Sequence, residues 1–404
     1  MTGADEKTST DNAEPEKETE AEKEEPKSPT DFRLYWNNGL RFETADKAFS
    51  FRFGGRIQND WAFASGDDDV EAAVGDLVGG TEFRRARLYV QGTVHRRVEF
   101  KTQFDFAGGN VVFKDVYIGV TKLPGLGGIR IGHFKEPFSL EELTSSKYIT
   151  FLERSLPSIF YPSRNTGLMV HNRVAGQRAS WALGVFKEVG GSGNVANEDD
   201  YIFTARITGL PWFKEGGRYM LHLGGSYSFR SPNEDQIRYR QRPEVHLSPR
   251  FVDTKTFEAD SVNLFDLEVS LVAGPLSAQG EYLTSLVDAP DAGDPAFRAF
   301  YLQASYFLTG ENRAYSRSSA AFSRVKVRKN LGADGGAGAW EVAVRYSKLD
   351  LEEEGVTGGE LSDVTVGLNW HLNPVTRFMF NYVFADRDAL GEANFFQMRF
   401  QIDF

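Results

Sequence analysis

Arginine and lysine recur with even spacing through several segments of this chain, as in Arg52 and Arg56 or Arg85 and Arg87, with Lys101, Arg130, Arg206, Arg218, Arg345, Arg377 and Arg399 in similar settings. In an extended chain such spacing puts side chains on one face. A guanidinium keeps its charge over the working pH range and donates hydrogen bonds in pairs, which suits phosphate and other oxyanions. The same parity puts Asp60, Glu99, Asp105, Asp115, Asp266, Glu268, Glu281, Glu341 and Asp403 on that polar face. The two sets nearly balance. An anion path therefore requires the charges to be segregated in space, because their sum gives little preference.

Catalytic chemistry finds less support. The histidines, at positions 95, 133, 171, 222, 246 and 371, form no His-Glu-x-x-His motif, and neither zinc spacing nor a Walker lysine loop is present. Gly190-Gly191-Ser192-Gly193 lacks the Lys-Ser/Thr that would follow in a phosphate loop, and reads as a surface loop. Cysteine is absent, which removes disulfides and thiolate metal sites. The expectation is a protein that is not an enzyme, with no cofactor, metal or nucleic-acid partner.

The elements that must carry these charges follow from the alternation itself. Residues 396 to 404 alternate bulky apolar and polar side chains without exception, and the pattern begins at Phe49, Phe51 and Phe53 opposite Ser50 and Arg52. Composition alone, at 41% hydrophobic and 13% aromatic, fits a soluble β-sandwich or propeller equally well. The recurrence decides, since too few other segments remain to cover so many apolar faces. No apolar run approaches the ~18 residues of a membrane helix. A closed barrel in lipid covers the outer faces and leaves no unpaired edge in hydrocarbon.

Sixteen alternating segments can be counted between Phe49 and Phe404, predicting an all-β fold: a 16-stranded antiparallel transmembrane β-barrel over 49–404. Short and long connections alternate, Lys135 to Arg164, Arg230 to Asp260 and Lys348 to Leu361 among the long ones. Thr309 to Gly338 is long where a short turn is due. Residues 32–48 form a lead-in with Asn38-Gly39 as a turn. Residues 1–31 read as a disordered acidic periplasmic tail, rich in Glu, Lys, Ser and Thr, with cell-wall contact as its functional version. Because residues 1 to 30, with ten acidic and four basic side chains, carry -6 of the net charge of -11, the total says little about the lumen.

Several spaced motifs resemble the phosphate-selective porin O and P family of bacterial outer-membrane channels. They include Trp36-Asn37-Asn38-Gly39-Leu40, Phe53-Gly54-Gly55-Arg56-Ile57-Gln58, Phe83-Arg84-Arg85-Ala86-Arg87 and Gly132-His133-Phe134-Lys135-Glu136-Pro137-Phe138. The most specific is Leu140-Glu141-Glu142-Leu143-Thr144-Ser145-Ser146-Lys147-Tyr148, followed by Phe151-Leu152-Glu153-Arg154-Ser155-Leu156-Pro157. The resemblance implies a barrel in the outer membrane of a Gram-negative-type bacterium, in contact with lipid and usually a homotrimer. Its third long loop, about 135–164 here, folds inward as an infolded constriction loop. It also implies that Arg84, Arg85, Asp115, Ser145, Ser146 and Arg154 match positions associated with the constriction and anion contacts. Lys135 and Lys147 add positive charge to that loop. Glu141 and Glu142 depart from the selective pattern, in which a lysine is usual nearby, and a carboxylate there would repel phosphate.

The function expected is passive diffusion of small anionic solutes, such as phosphate or polyphosphate, through a water-filled pore with both termini periplasmic. Two alternatives use the same scaffold: a general or weakly cation-preferring porin, and a structural or adhesive barrel with a blocked bore.

Overall fold

In β18 (Gly391–Asp403) the alternation read from the sequence becomes geometry: Gln397, Arg399, Gln401 and Asp403 are buried inward while Phe396, Phe400 and Ile402 are exposed outward. A computed structural model describes residues 31–37, 39–195, 200–332 and 335–404. The acidic tail over residues 1–30 and Asn38 of the expected turn lie outside the described residues.

The barrel strands are β3 (Ser50–Gly66), β4 (Gly80–Val94), β5 (Val98–Asp105), β6 (Val112–Leu123), β7 (Gly127–Lys135) and β8 (Arg164–Val174). They continue with β9 (Ala179–Lys187), β10 (Ile202–Lys214), β11 (Tyr219–Arg230), β12 (Ser261–Ala273), β13 (Leu276–Asp288) and β14 (Ala296–Phe307). β15 (Ala339–Glu353), β16 (Val356–Asn373) and β17 (Thr376–Arg387) lead to β18. Each pairs antiparallel with its neighbour, and β18 pairs with β3 from Ala393↔Gly66 to Asp403↔Arg56, which closes the sixteen-stranded cylinder. Gly55 and Phe404 exchange backbone hydrogen bonds of 2.8 and 3.1 Å just beyond that register. The lead-in is a hairpin of β1 (Phe32–Trp36) and β2 (Leu40–Thr44), and β2 pairs with the start of β3 where β18 has ended. It extends the wall instead of entering the lumen, with Phe32, Leu34 and Trp36 exposed.

Outward side chains form the apolar belt. At the end of the barrel with the short turns, Trp340, Trp370, Phe378 and Phe400 form a row across β15 to β18, at centroid spacings of 4.9, 6.0 and 4.8 Å. Such a girdle is suited to the membrane interface, where aromatic rings sit at headgroup level.

Two departures from the expected connections bear on the lumen. β15 and β16 run on to a two-residue turn at Glu354-Gly355, so the expected long loop between Lys348 and Leu361 is a protruding hairpin. Its inner face stays buried through Leu349, Leu351, Val356 and Leu361, which join the apolar core under the loops, while the Glu352-Glu353-Glu354-Gly355 tip is polar and reads as a loop. Residues 311–324 return into the bore from the short-turn end. Their hairpin, Ala314–Ser316 paired with Ala321–Ser323, places Tyr315 against His222 at 2.8 Å, and the Phe322 N–H donates to Thr144 Oγ1 at 3.3 Å.

From the long-loop end, residues 136–163 also fold inside, carrying α1 (Leu140–Leu143). Residues 231–260 cap them. Leu156, Phe160, Tyr239, Val245 and Phe251 of these loops pack on inward-facing Leu264, Leu283, Phe297, Leu349, Val383 and Phe395. An apolar core thus fills the long-loop end of the bore on the β12–β18 side, while nearer the short turns the same strands carry buried polar and charged side chains such as Glu281, Arg345 and Arg399.

Candidate functional site

The open side of the lumen is walled by β3 to β8, and its charges form shared pairs. Arg87 donates to Asp105 at 2.6 Å, and Arg130 donates to Glu99 at 2.8 Å while lying 4.1 Å from the Tyr117 ring centroid. Asp115 accepts from both Lys101 and Arg164, the latter at 2.8 Å. Arg52 stacks over the Tyr89 ring at 5.6 Å. Arg56 is buried, and its Nη1 donates to Ser146 Oγ at 2.6 Å and approaches Ser145 Oγ at 3.5 Å. Both serine hydroxyls therefore serve as acceptors for an arginine in this arrangement.

Arg84 and Arg85 both turn inward although they are adjacent. The β3–β4 register shifts between Gln58 and Asn59, so that Gln58 pairs with Arg85 and Asn59 with Phe83. Arg84 is the extra residue of a β-bulge, the device that re-aims a side chain within a strand. Its guanidinium donates twice to Glu153, at 2.9 and 2.9 Å, and Arg85 stands 3.8 Å from the same carboxylate. Arg399 joins them at 2.8 Å. Burial opposes ionisation of Glu153, yet Arg84, Arg85 and Arg399 outweigh it and hold its carboxyl well below the ordinary value.

The two departing glutamates separate. Glu141 points away from the open side: its carboxylate accepts from Ser155 Oγ at 2.7 Å, Tyr161 Oη at 3.1 Å and Arg345 at 3.3 Å. Glu142 lies between Lys135 at 2.9 Å and Arg154 at 3.0 Å. Burial raises its pKa, but Arg154 and Lys135 more than offset this and lower it. Neither carboxylate is left unpaired toward the lumen. Lys147 sits nearer the short-turn end, 3.5 Å from Asp403 and facing the Tyr89 and Tyr148 rings.

Two cavities flank the Lys135, Glu142 and Arg154 cluster. One of about 340 Å³ is bordered by Lys101, Tyr117, Arg130, Lys135 and Arg206. The other, about 230 Å³, is bordered by Arg84, Glu142, Arg154 and Arg242. Lys135 borders the first and its partners Glu142 and Arg154 the second, so the ion-paired cluster lies between the two. Parity also failed to single out Arg238, Arg240, Arg242 and Arg250 of the loop 231–260. Slight burial and the like charges of Arg242, Arg240 and Arg238 lower the pKa of Arg250, as expected of a basic cluster. The signal was present as arginines at every second position from 238 to 242.

Comparison with known proteins agrees with this architecture. The family model described as phosphate-selective porin O and P matches residues 51–404. Porin O of Pseudomonas aeruginosa is 28% identical over 90% of this chain and 89% of its own length. Among solved structures, an anion-selective porin from Comamonas acidovorans superposes with a TM-score of 0.55 at 14% identity, covering 88% of this chain and all (100%) of its own. The outer-membrane channel DcaP of Acinetobacter baumannii gives a TM-score of 0.55 at 13% identity, over 90% of this chain and 99% of its own. At such identity these structures speak for the barrel fold. With the family model spanning all sixteen barrel strands, this outer-membrane barrel belongs to the phosphate-selective porin O and P family.

Proposed function

We propose that this porin passes small anions, with phosphate and polyphosphate as the chemical class, along the β3–β8 wall. The observation that carries this reading is charge segregation. Carboxylates on the basic wall and on the loop that faces it are shared among several cations, Glu153 by three and Asp115 and Glu142 by two each. Asp266, Glu268, Glu281 and Asp363 lie buried on the opposite wall, behind the infolded loops. A low-dielectric wall focuses such a field on the open side. The name of the Comamonas relative, an anion-selective porin, agrees with this direction.

In this reading the arginines at 238, 240 and 242 gather anions at the extracellular mouth, and the short-turn end with both termini faces the periplasm. Arg84, Arg85 and Arg154 then offer donors in turn as a solute exchanges one partner for the next. Lys135, Glu142 and Arg154 set the narrowest passage. Movement follows the concentration gradient, so the protein supplies a route and no energy coupling.

The test is a planar-bilayer recording under a salt gradient. The reversal potential should indicate anion preference, and added phosphate should reduce chloride current. Replacing Arg85, Arg87 and Arg154 together with Ala should move selectivity toward cations. An unchanged reversal potential would remove these residues from the route, whereas absence of conductance would favour a blocked, structural barrel.

A further inference from the structure

Away from the basic wall, three carboxylates converge on the inner face of β12 and β13. Asp266, Glu268 and Glu281 are 2%, 4% and 3% exposed, and each offers an oxygen within 4.8 Å of the others. Among the described residues only Arg206 forms an arginine or lysine ion pair with the trio, donating to Glu268 at 2.8 and 3.0 Å. One guanidinium cannot balance three buried carboxylates. Uncompensated charge at this depth is costly, and such sites carry protons or a cation.

A second observation points to the cation. His222 is fully buried on β11, and its Nε2 has no hydrogen-bond partner while facing Glu268 Oε1 at 3.7 Å. Its Nδ1 is engaged by the Tyr315 hydroxyl at 2.8 Å. A hydrogen bond at Nδ1 that fixes the ring and leaves Nε2 aimed at carboxylates is the usual arrangement of a metal-bound imidazole. Asp266 Oδ1 is likewise buried without a partner. The two unpartnered atoms therefore come from different strands of the same cluster.

We propose that Asp266, Glu268, Glu281 and His222 bind one divalent metal ion of the Zn2+ class. Three oxygens and one imidazole nitrogen suit zinc or manganese better than calcium, which rarely takes nitrogen. Ligand atoms bound at about 2.1 Å lie roughly 3.5 Å apart, so coordination would draw the carboxylates together and bring in His222, which approaches Glu268 at 3.7 Å but stands outside the mutual 4.8 Å group of the three carboxylates. Glu281 also accepts the Leu140 and Glu141 N–H groups, at 3.1 and 2.8 Å. Tyr315 belongs to the hairpin that enters from the other end. The ion would thereby fix both infolded segments to one point of the wall.

Full-length protein in detergent, stripped with a chelator and then given Zn2+, should retain about one equivalent through gel filtration and melt at higher temperature. Asp266→Asn should weaken Zn2+ retention by at least about tenfold and abolish the thermal gain. Should that variant fail to fold, Co2+ loaded into wild type provides a separate readout, a visible ligand-field band of mixed nitrogen and oxygen coordination. Retention below about a tenth of an equivalent, equal retention by Asp266→Asn, or no such band would overturn the proposal.

Discussion

Adjacent in sequence, Glu141 and Glu142 have opposite surroundings, and substitutions should separate their roles. Glu141→Gln keeps the shape but removes the charge facing Arg345, Ser155 and Tyr161. Loss of charge-assisted bonds in a buried setting should cost about 1–3 kcal/mol, read as a lower unfolding midpoint with little change in reversal potential. Glu142→Gln releases Lys135 and Arg154 from their shared carboxylate. It should increase anion preference in the same recording. Lys147 gives a pH dependence: burial, offset in part by Asp403 and reinforced by Arg56, Arg324 and Arg52, lowers its pKa to about 7. The ammonium is charged below that value and neutral above it, so anion preference should decline as pH rises through about 7. Lys147→Met should flatten the profile, measured as reversal potential from pH 5 to pH 9. Most lumen-facing charges were legible from two-residue parity. Arg84 was not, because its inward turn depends on a bulge that only the pairing of β3 with β4 creates.

Loops and hairpins divide the bore into a packed side and an open side. The hairpin around Tyr315 and Phe322 meets the 136–163 loop through an apolar cluster with Leu140, Met220 and Val272. Phe322→Ala should remove about 3 kcal/mol of packing, loosen that contact and increase both conductance and current noise in single-channel records. Strands were readable because lipid on one side and water on the other enforce alternation wherever the wall crosses the membrane. The same rule is silent inside the lumen. Residues 311–324 and 231–260 pack against protein inside the lumen, so their positions follow from partners distant in sequence, such as Thr144 for Phe322 and Thr365 for Glu244. The protruding hairpin of β15 and β16 escaped because its polar Glu352-Glu353-Glu354-Gly355 tip reads as a loop, while the burial of Leu351 and Val356 depends on partners in the loop 231–260.

At the scale of the whole molecule, closure joins residues far apart, with Gln58 and Gln401 in hydrogen-bond contact across 343 positions of sequence. Gly54 lies at this seam, where an added Cβ would collide with the Phe404 carbonyl and the Tyr89 ring. Gly54→Ala should therefore hinder joining of β18 to β3. Compared with wild type, a larger fraction should migrate as unfolded on a gel run without heating. Number and direction of strands were available from the sequence, but this steric requirement emerges only when both ends of the sheet occupy one place. The pairing of β3 with β18 also imposes an order on biogenesis. A ribosome makes β3 before the other fifteen strands, and its mate last among them. Translation and closure cannot overlap, so the early strand must cross the cell envelope with one side unclaimed, shielded by something other than its own polypeptide.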